Sequence, residues 1–212
     1  MENPVIIFGA NGLGKAALDI FQQNGVVVYC FLDDDKALHG TEIDSISVMG
    51  ATDDDGYLKF IGKKCEAFVA FDDNKLRKNV VEMLVDRRKV MPVNCVHNQS
   101  IIASTATIGY GNFINAQVRV GAFATIGQHC LIHSGAIIEH EARLGDFVQI
   151  GAGSVINAGV TIEDGAFIGS GVTVVSGVTI GKGARVGAGS VVISDVKKNE
   201  TVFGNPAQSV KS

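Results

Sequence analysis

The sequence predicts an α/β domain over residues 1–92 followed by a parallel β-helix over residues 93–212, on three observations. Aliphatic residues recur every sixth position between residues 102 and 197 without an insertion, sixteen in sixteen hexads. A short apolar run, Val5-Ile6-Ile7-Phe8, leads into a glycine-rich turn and then into apolar residues at helical spacing. A second apolar run, residues 26–32, ends in three consecutive aspartates.

The hexads begin at Ile102, Ile108, Ile114, Val120, Ile126, Ile132, Ile138 and Leu144, and continue through Ile150, Ile156, Ile162, Ile168, Val174, Ile180, Val186 and Val192. A period of six is a multiple of the strand period of two, so every hexad turns the same face inward. Six residues make one short strand and a corner, and the recurring Gly and Asn suit corners with unusual backbone angles. Three sides close a coil of 18 residues, and such coils stack about 4.8 Å apart into a prism about 25 Å long. The fifth position is almost always small or Val, as in Ala106, Val118, Ala124, Cys130, Ala136 and Ser154. Nothing in this region repeats at 3.6, which excludes a helical reading.

At 212 residues with a formal charge of −4 and a pI near 5.7, the chain lacks the basic surface of a nucleic-acid binder. Cys30, Cys65, Cys95 and Cys130 show no close pairing, which predicts a reduced, cytoplasmic protein. The start Met-Glu-Asn-Pro has no positive n-region, so no signal peptide is expected. The positive mean hydropathy comes from the hexad interiors rather than from a membrane-length span.

Val5-Ile6-Ile7-Phe8 reads as a strand buried on both faces. The turn after it carries Gly9, Gly12, Gly14 and Lys15, and Leu13, Ala17, Ile20 and Phe21 follow at helical spacing. Strand, glycine turn and helix together form a cradle for phosphate, with backbone N–H groups facing the anion. The spacing is GxxGxG rather than GxGxxG, and no Ser or Thr follows Lys15, so neither standard nucleotide fingerprint is matched. Asp33 and Asp34 stand at the carboxyl end of the second strand, where an acid accepts from ribose hydroxyls or where it simply solvates a loop. A third strand over residues 67–71 precedes Asp73, Asn74 and Arg77, and a helix is expected over residues 74–88. Arg77 suits a phosphate, and it equally suits support of that helix. Met91-Pro92 marks the join.

The segment 132–141 departs most from the hexad pattern, with His133, Glu139, His140 and Glu141 where other coils carry small residues. Charged groups on such a solenoid need a reason. An 18-residue stack sets His140 between Ala122 and Ala158, and Glu141 between Phe123 and Gly159. Acyl transfer to an amine needs a base for its proton and donors for the tetrahedral oxyanion. An unperturbed histidine, with a pKa of about 6.5, titrates in the range such a base requires. His129, His133 and His140 occupy hexad positions four, two and three, so they do not line one face as a metal site would.

The aliphatic-Gly-x4 hexads resemble the hexapeptide-repeat acyltransferases. With the N-terminal segment, the whole chain resembles sugar acyltransferases of the sialic acid O-acetyltransferase type. Among these it is most similar to the UDP-N-acetylbacillosamine N-acetyltransferase-like enzymes, which acetylate nucleotide-linked 4-amino sugars. The resemblance implies a Rossmann-like N-terminal domain and a left-handed β-helix, the hand running against the usual crossover rule. It further implies an acetyl-CoA-dependent enzyme without a metal, assembled as a homotrimer with sites between neighbouring prisms. On the Ile-Glu-His-Glu string of residues 138–141, it assigns the general base to His140, the orienting carboxylate to Glu141 and the oxyanion donor to the Ala158 amide. The nucleotide sugar would be held by Gly9, Gly12, Gly14, Lys15, Asp33, Asp34, Asp73, Asn74 and Arg77. His133 and Gln149 replace an Asn and a His of the aminosugar enzymes, and both are expected near the acceptor. Gly159, Gly177 and Pro206, the last in Phe203-Gly204-Asn205-Pro206-Ala207, are expected along CoA. O-acetylation of a sialic acid, or nucleotide-sugar binding without catalysis, are the alternatives; the intact His140-Glu141 string argues against the latter.

Overall fold

The computed structural model describes residues 3–210. It divides into two compact units, one ending at Asn98 and one beginning at Gln99. The boundary falls later than the join expected after Pro92. Residues beyond that proline still serve the first unit: the Val93 amide donates to Ala67 O, and Asn24 Nδ2 donates to Val96 O at 2.8 Å. No helix among the described residues is long and apolar enough to cross a membrane.

The first unit is a Rossmann-like α/β domain. Its sheet has the order β3-β4-β2-β1-β5, from strands β1 Val5–Phe8, β2 Val28–Leu32, β3 Glu42–Ile43, β4 Ile46–Gly50 and β5 Glu66–Val69. The β1 strand lies between β2 and β5, parallel to both, and all four of its side chains are buried, as its unbroken apolar run predicts. Helix α1, Gly12–Gln23, buries Leu13, Ala17, Ile20 and Phe21, and Phe21 meets Phe68 edge-on at 5.6 Å. Helix α2 is the short Asp55–Leu58, and α3 is Asn74–Arg88, opened by the Asp73 side chain accepting from the Leu76 amide. The β5 strand stops at Val69, two residues before the expected end. The carbonyls of Phe71 and Asp72 turn instead toward the Arg77 guanidinium.

The second unit is the left-handed parallel β-helix. Two-residue strands such as Ile101–Ile102, Arg119–Val120 and Ile137–Ile138 stack in register, residue on residue 18 apart. From Ile114 on, the first-position aliphatics are buried, and the fifth position fills the interior with residues such as Val118, Ala136, Val148 and Ala166. Three polar fifth positions are paired inside: Asn112 spans Gly127 O and the Cys130 amide, Ser154 Oγ donates to Gly169 O, and Ser190 Oγ donates to Gly187 O. The last coil is tighter: Val202 pairs with Val186, 16 residues earlier instead of 18.

The glycines at position two serve clearance rather than corner geometry. Gly109, Gly121, Gly151 and Gly169 have ordinary φ, yet a Cβ on any of them would meet backbone of the next coil at 2.4–2.6 Å. Left-handed backbone falls instead on position four, as in Glu141 (φ 59°) and Gly159 (φ 67°). One corner carries a polar ladder: Asp146 Oδ1 accepts from the Gln128 amide at 2.8 Å, and Asp164 Oδ1 from the Asp146 amide at 3.0 Å.

Candidate active site

In the first unit, the turn between β1 and α1 is built by two close approaches. A Cβ on Gly9 (φ 106°) would lie 2.7 Å from Ala70 O, and one on Gly14 would lie 2.0 Å from Gly9 O. Gly12 faces open space. The Asn11 side chain does not cap α1, and no acid lies in its first turn. Among the described residues, the Gly12 and Leu13 amides have no partner, and the exposed Lys15 ammonium stands unpaired beside them. Free amides at a helix N-terminus carry a positive partial charge that favours an anion.

The aspartates after β2 divide their roles. Asp33 is 4% exposed; its Oδ2 accepts from the Ala10 amide at 2.8 Å and its Oδ1 from the Asp35 amide at 2.9 Å. It clamps the glycine turn to the end of β2. Asp34 is exposed and holds Thr52 through Oδ1 alone, from the amide at 2.8 Å and the hydroxyl at 2.9 Å. Its other oxygen remains available.

Arg77 also differs from the expectation of a phosphate ligand. It is fully buried, and it donates to Phe71 O at 2.5 Å, to Asp72 O at 3.2 Å and to Asn74 Oδ1. Asp73 caps α3. Asp73, Asn74 and Arg77 therefore hold the loop that follows β5, in the way the supporting reading of that helix requires.

In the second unit, one corner collects His140, Ala158 and Gly177. The Glu141 amide donates to Ala122 O at 3.0 Å, the Gly159 amide to His140 O at 3.1 Å, and the Gly177 amide to Ala158 O at 3.0 Å. The 18-residue stack around His140 is thus realised, with Ala122 and Ala158 on either side. The Ala158 amide has no partner among the described residues. No atom lies within 4 Å of where a Cβ on Gly159 or Gly177 would sit.

The His140 imidazole is exposed, 60% at the side chain, and the carboxylate beside its Nδ1 is Glu139 Oε2, at 3.6 Å. Glu141, expected in that place, is exposed with left-handed backbone at the corner. Strand alternation hid this from the sequence, because neighbours on a strand point apart. The strand ends at Ile138, Glu139 lies just beyond it and His140 begins a turn, so alternation does not hold between them.

His133 follows the strand Leu131–Ile132, and Gln149 lies on the strand Gln149–Ile150. His133 is half-buried, tilted against Phe113 with centroids 6.0 Å apart, and Gln149 sits between Leu131 and Phe167. His129 is buried and stacks on Phe147 at 4.9 Å. Among the described residues, no three His, Cys, Asp or Glu side chains are grouped to hold a metal ion. Pro206 is exposed in the turn between the strands Thr201–Phe203 and Gln208–Ser209.

Residues 4–84 match the family model of the PglD N-terminal domain. Three overlapping windows, 123–158, 141–176 and 159–194, match the bacterial transferase hexapeptide model of six repeats. No curated protein matches the chain. Among solved structures, a histidine-to-alanine mutant of GDP-perosamine N-acetyltransferase from Caulobacter crescentus, in complex with CoA and GDP-perosamine, is similar at 29% identity and TM-score 0.90. The similarity covers 100% of this chain and 99% of that one. WeeI from Acinetobacter baumannii is similar at 27% identity and TM-score 0.84, covering 98% of this chain and 99% of that one. The acetyltransferase domain of PglB from Neisseria gonorrhoeae, at 24% identity and TM-score 0.90 over 99% of this chain and 100% of that one, shares the fold. The chain thus joins a PglD-type N-terminal domain to bacterial transferase hexapeptide repeats, and its likeness to GDP-perosamine N-acetyltransferase runs over its full length.

Proposed function

We propose that the protein transfers an acetyl group from acetyl-CoA to the amine of a nucleotide-linked amino sugar, with His140 as the general base. The observation that carries this reading is the full-length likeness to GDP-perosamine N-acetyltransferase, whose structure holds CoA and GDP-perosamine and in which a histidine has been mutated. An exposed imidazole with a carboxylate at 3.6 Å, stacked between Ala122 and Ala158, is the matching chemical feature here.

In this reading His140 removes the proton from the amine as nitrogen attacks the thioester carbon, and collapse of the tetrahedral adduct breaks the C–S bond and releases CoA as its thiol. The free Ala158 amide donates to the developing oxyanion, a contribution made where charge appears. The small corner residues Gly159 and Gly177 leave space along the prism for the pantetheine arm, and Pro206 lies toward the adenine end. In the first unit, the Gly12 and Leu13 amides and Lys15 hold the diphosphate, and the free oxygen of Asp34 accepts from the nucleoside. Asp33, Asp73, Asn74 and Arg77 shape that site from behind. His133 and Gln149 act on the acceptor sugar. The active form is a homotrimer, because a flat prism that displays its base outward needs a second surface to enclose the acceptor.

The test is a thermal-shift screen with GDP, UDP, CMP and CoA, followed by free-thiol release from acetyl-CoA with amino sugars of the responding nucleotide. Ligands that prefer the native state raise the melting temperature. CoA and one nucleotide are expected to do so. A protein that responds to neither, and releases no thiol with any amino sugar, overturns the reading.

A further inference from the structure

We infer that Phe123 is a stacking platform for the acceptor: its ring takes the apolar face of the sugar that carries the amine. The inference rests on the reading of His140 as the base and of Gly159 and Gly177 as the path of the pantetheine arm.

Two local penalties meet at this one residue. Phe123 has left-handed backbone (φ 58°) and is 65% exposed, more than any other aromatic among the described residues. A bulky side chain strains that backbone region, and an exposed apolar ring forgoes burial. On the same corner, Gly159 (φ 67°) and Gly177 (φ 75°) hold the equivalent position without such strain. Phe147 is also left-handed (φ 58°), but it is half-buried and stacks on His129 at 4.9 Å. That ring serves the prism. The Phe123 ring has no ring or cation partner among the described residues. Its amide donates to Thr105 Oγ1 at 3.2 Å, whereas the amides of Glu141, Gly159 and Gly177 meet backbone carbonyls. Strain with no internal contact to offset it marks a residue held for function.

Its place on the corner says what the ring meets. Phe123 stands one coil before Glu141 and follows Ala122, whose carbonyl accepts from the Glu141 amide at 3.0 Å. On the coils after His140 the corner is open: a Cβ on Gly159 or Gly177 would meet nothing within 4 Å. With the thioester arriving along those glycines, the amine reaches its carbon from the other side of the imidazole, over Phe123. A pyranose presents a face of C–H bonds there while its hydroxyls stay hydrated. An aromatic ring takes such a face by apolar contact and by the negative charge of its π surface. The acceptor class is thus a pyranose amine rather than an open-chain amine, which has no such face to stack.

The experiment compares Phe123→Ala, Phe123→Gly and Phe123→Tyr in the full-length protein. Phe123→Ala is expected to raise KM for the nucleotide amino sugar about tenfold, with kcat within about threefold and KM for acetyl-CoA unchanged. Phe123→Tyr should keep KM near wild type. Phe123→Gly should weaken the acceptor as Phe123→Ala does, yet keep or raise the melting temperature, because glycine relieves the left-handed strain. An unchanged acceptor KM in both small variants overturns the inference. So does a lowered melting temperature in Phe123→Gly, or loss of its assembly by light scattering, since the ring would then serve packing.

The chain has no tryptophan, so Phe123→Trp supplies a single reporter that needs no turnover. Its fluorescence should change with GDP-mannose or UDP-N-acetylglucosamine beyond the change with GDP or UDP alone. Equal responses to nucleotide sugar and bare nucleotide overturn the platform. A wild-type protein that acetylates no amino sugar would sink the functional reading and leave this titration to decide the role of the ring.

Discussion

Gly121 yields its side-chain space to the backbone of His140: a Cβ at Gly121 would lie 2.6 Å from His140 N and 3.1 Å from its Cα. A residue one coil away thus sets how close the corner bearing the imidazole can sit to the prism. Position-two glycines elsewhere do the same for corners that carry no chemistry, as Gly169 does for Ala188.

Gly121→Ala should therefore push the Glu139–His140 peptide outward. We expect a stability loss of about 1–3 kcal/mol, the usual cost of forcing atoms into packed space, and a fall in kcat larger than that of Gly169→Ala. Urea unfolding and steady-state kinetics on the two variants check this. Equal kcat values would mean that the corner at His140 has slack.

His140→Ala should lower kcat about 10²–10⁴-fold, the share of a positioned general base. Affinity for the free nucleotide should stay unchanged, because the diphosphate site proposed at Gly12 and Lys15 belongs to the other unit. Raising the pH should partly rescue the variant by supplying more free amine. Acetylation at the wild-type rate, with chemistry limiting, would move the base to His133.

Arg77→Met should act on stability rather than on nucleotide affinity. The guanidinium is buried and donates to Phe71 O, Asp72 O and Asn74 Oδ1. Leaving those acceptors without a donor costs about 2–3 kcal/mol. The urea midpoint should fall, with nucleotide affinity of the folded variant retained. Retained stability with lost affinity would restore Arg77 as a phosphate ligand.

Asp164 gives the corner ladder a dependence on pH. The Asp146 amide donating to its carboxylate, and next the Lys182 ammonium at 3.1 Å, hold its pKa below the ordinary aspartate value. A folded-state pKa depressed in this way contributes stability that is fully present above the unfolded pKa of about 3.9 and lost as pH falls through the lower folded value. Asp164→Asn should thus be less stable than wild type at neutral pH, with the gap closing below about pH 4. A gap that persists into acid would mean that packing, not charge, is what the substitution removes. The half-exposed position of the pair keeps the effect small.

Much of this molecule was legible in the residues alone. The six-residue period dictated the prism, its 18-residue stacking and its interior, because a strand that repeats its inward face at fixed spacing has one way to bury it. The buried central strand, the glycine turn and the α3 helix were equally readable, since each is written in local spacing. The stacking of His140 between Ala122 and Ala158 followed from the same arithmetic.

Tertiary structure decided what each polar group does. Sequence places Asp33 and Asp34 side by side, but only the fold turns one into a buried clamp on Ala10 and leaves the other in solvent. The Arg77 guanidinium found its carbonyls because β5 ends early, a boundary that propensity does not mark. Whether Glu139 or Glu141 meets His140 depended on where strand gives way to corner, a matter of one residue. Burial patterns average over many residues and survive such errors; a hydrogen bond depends on one side chain's direction, and that direction exists only after the chain has folded.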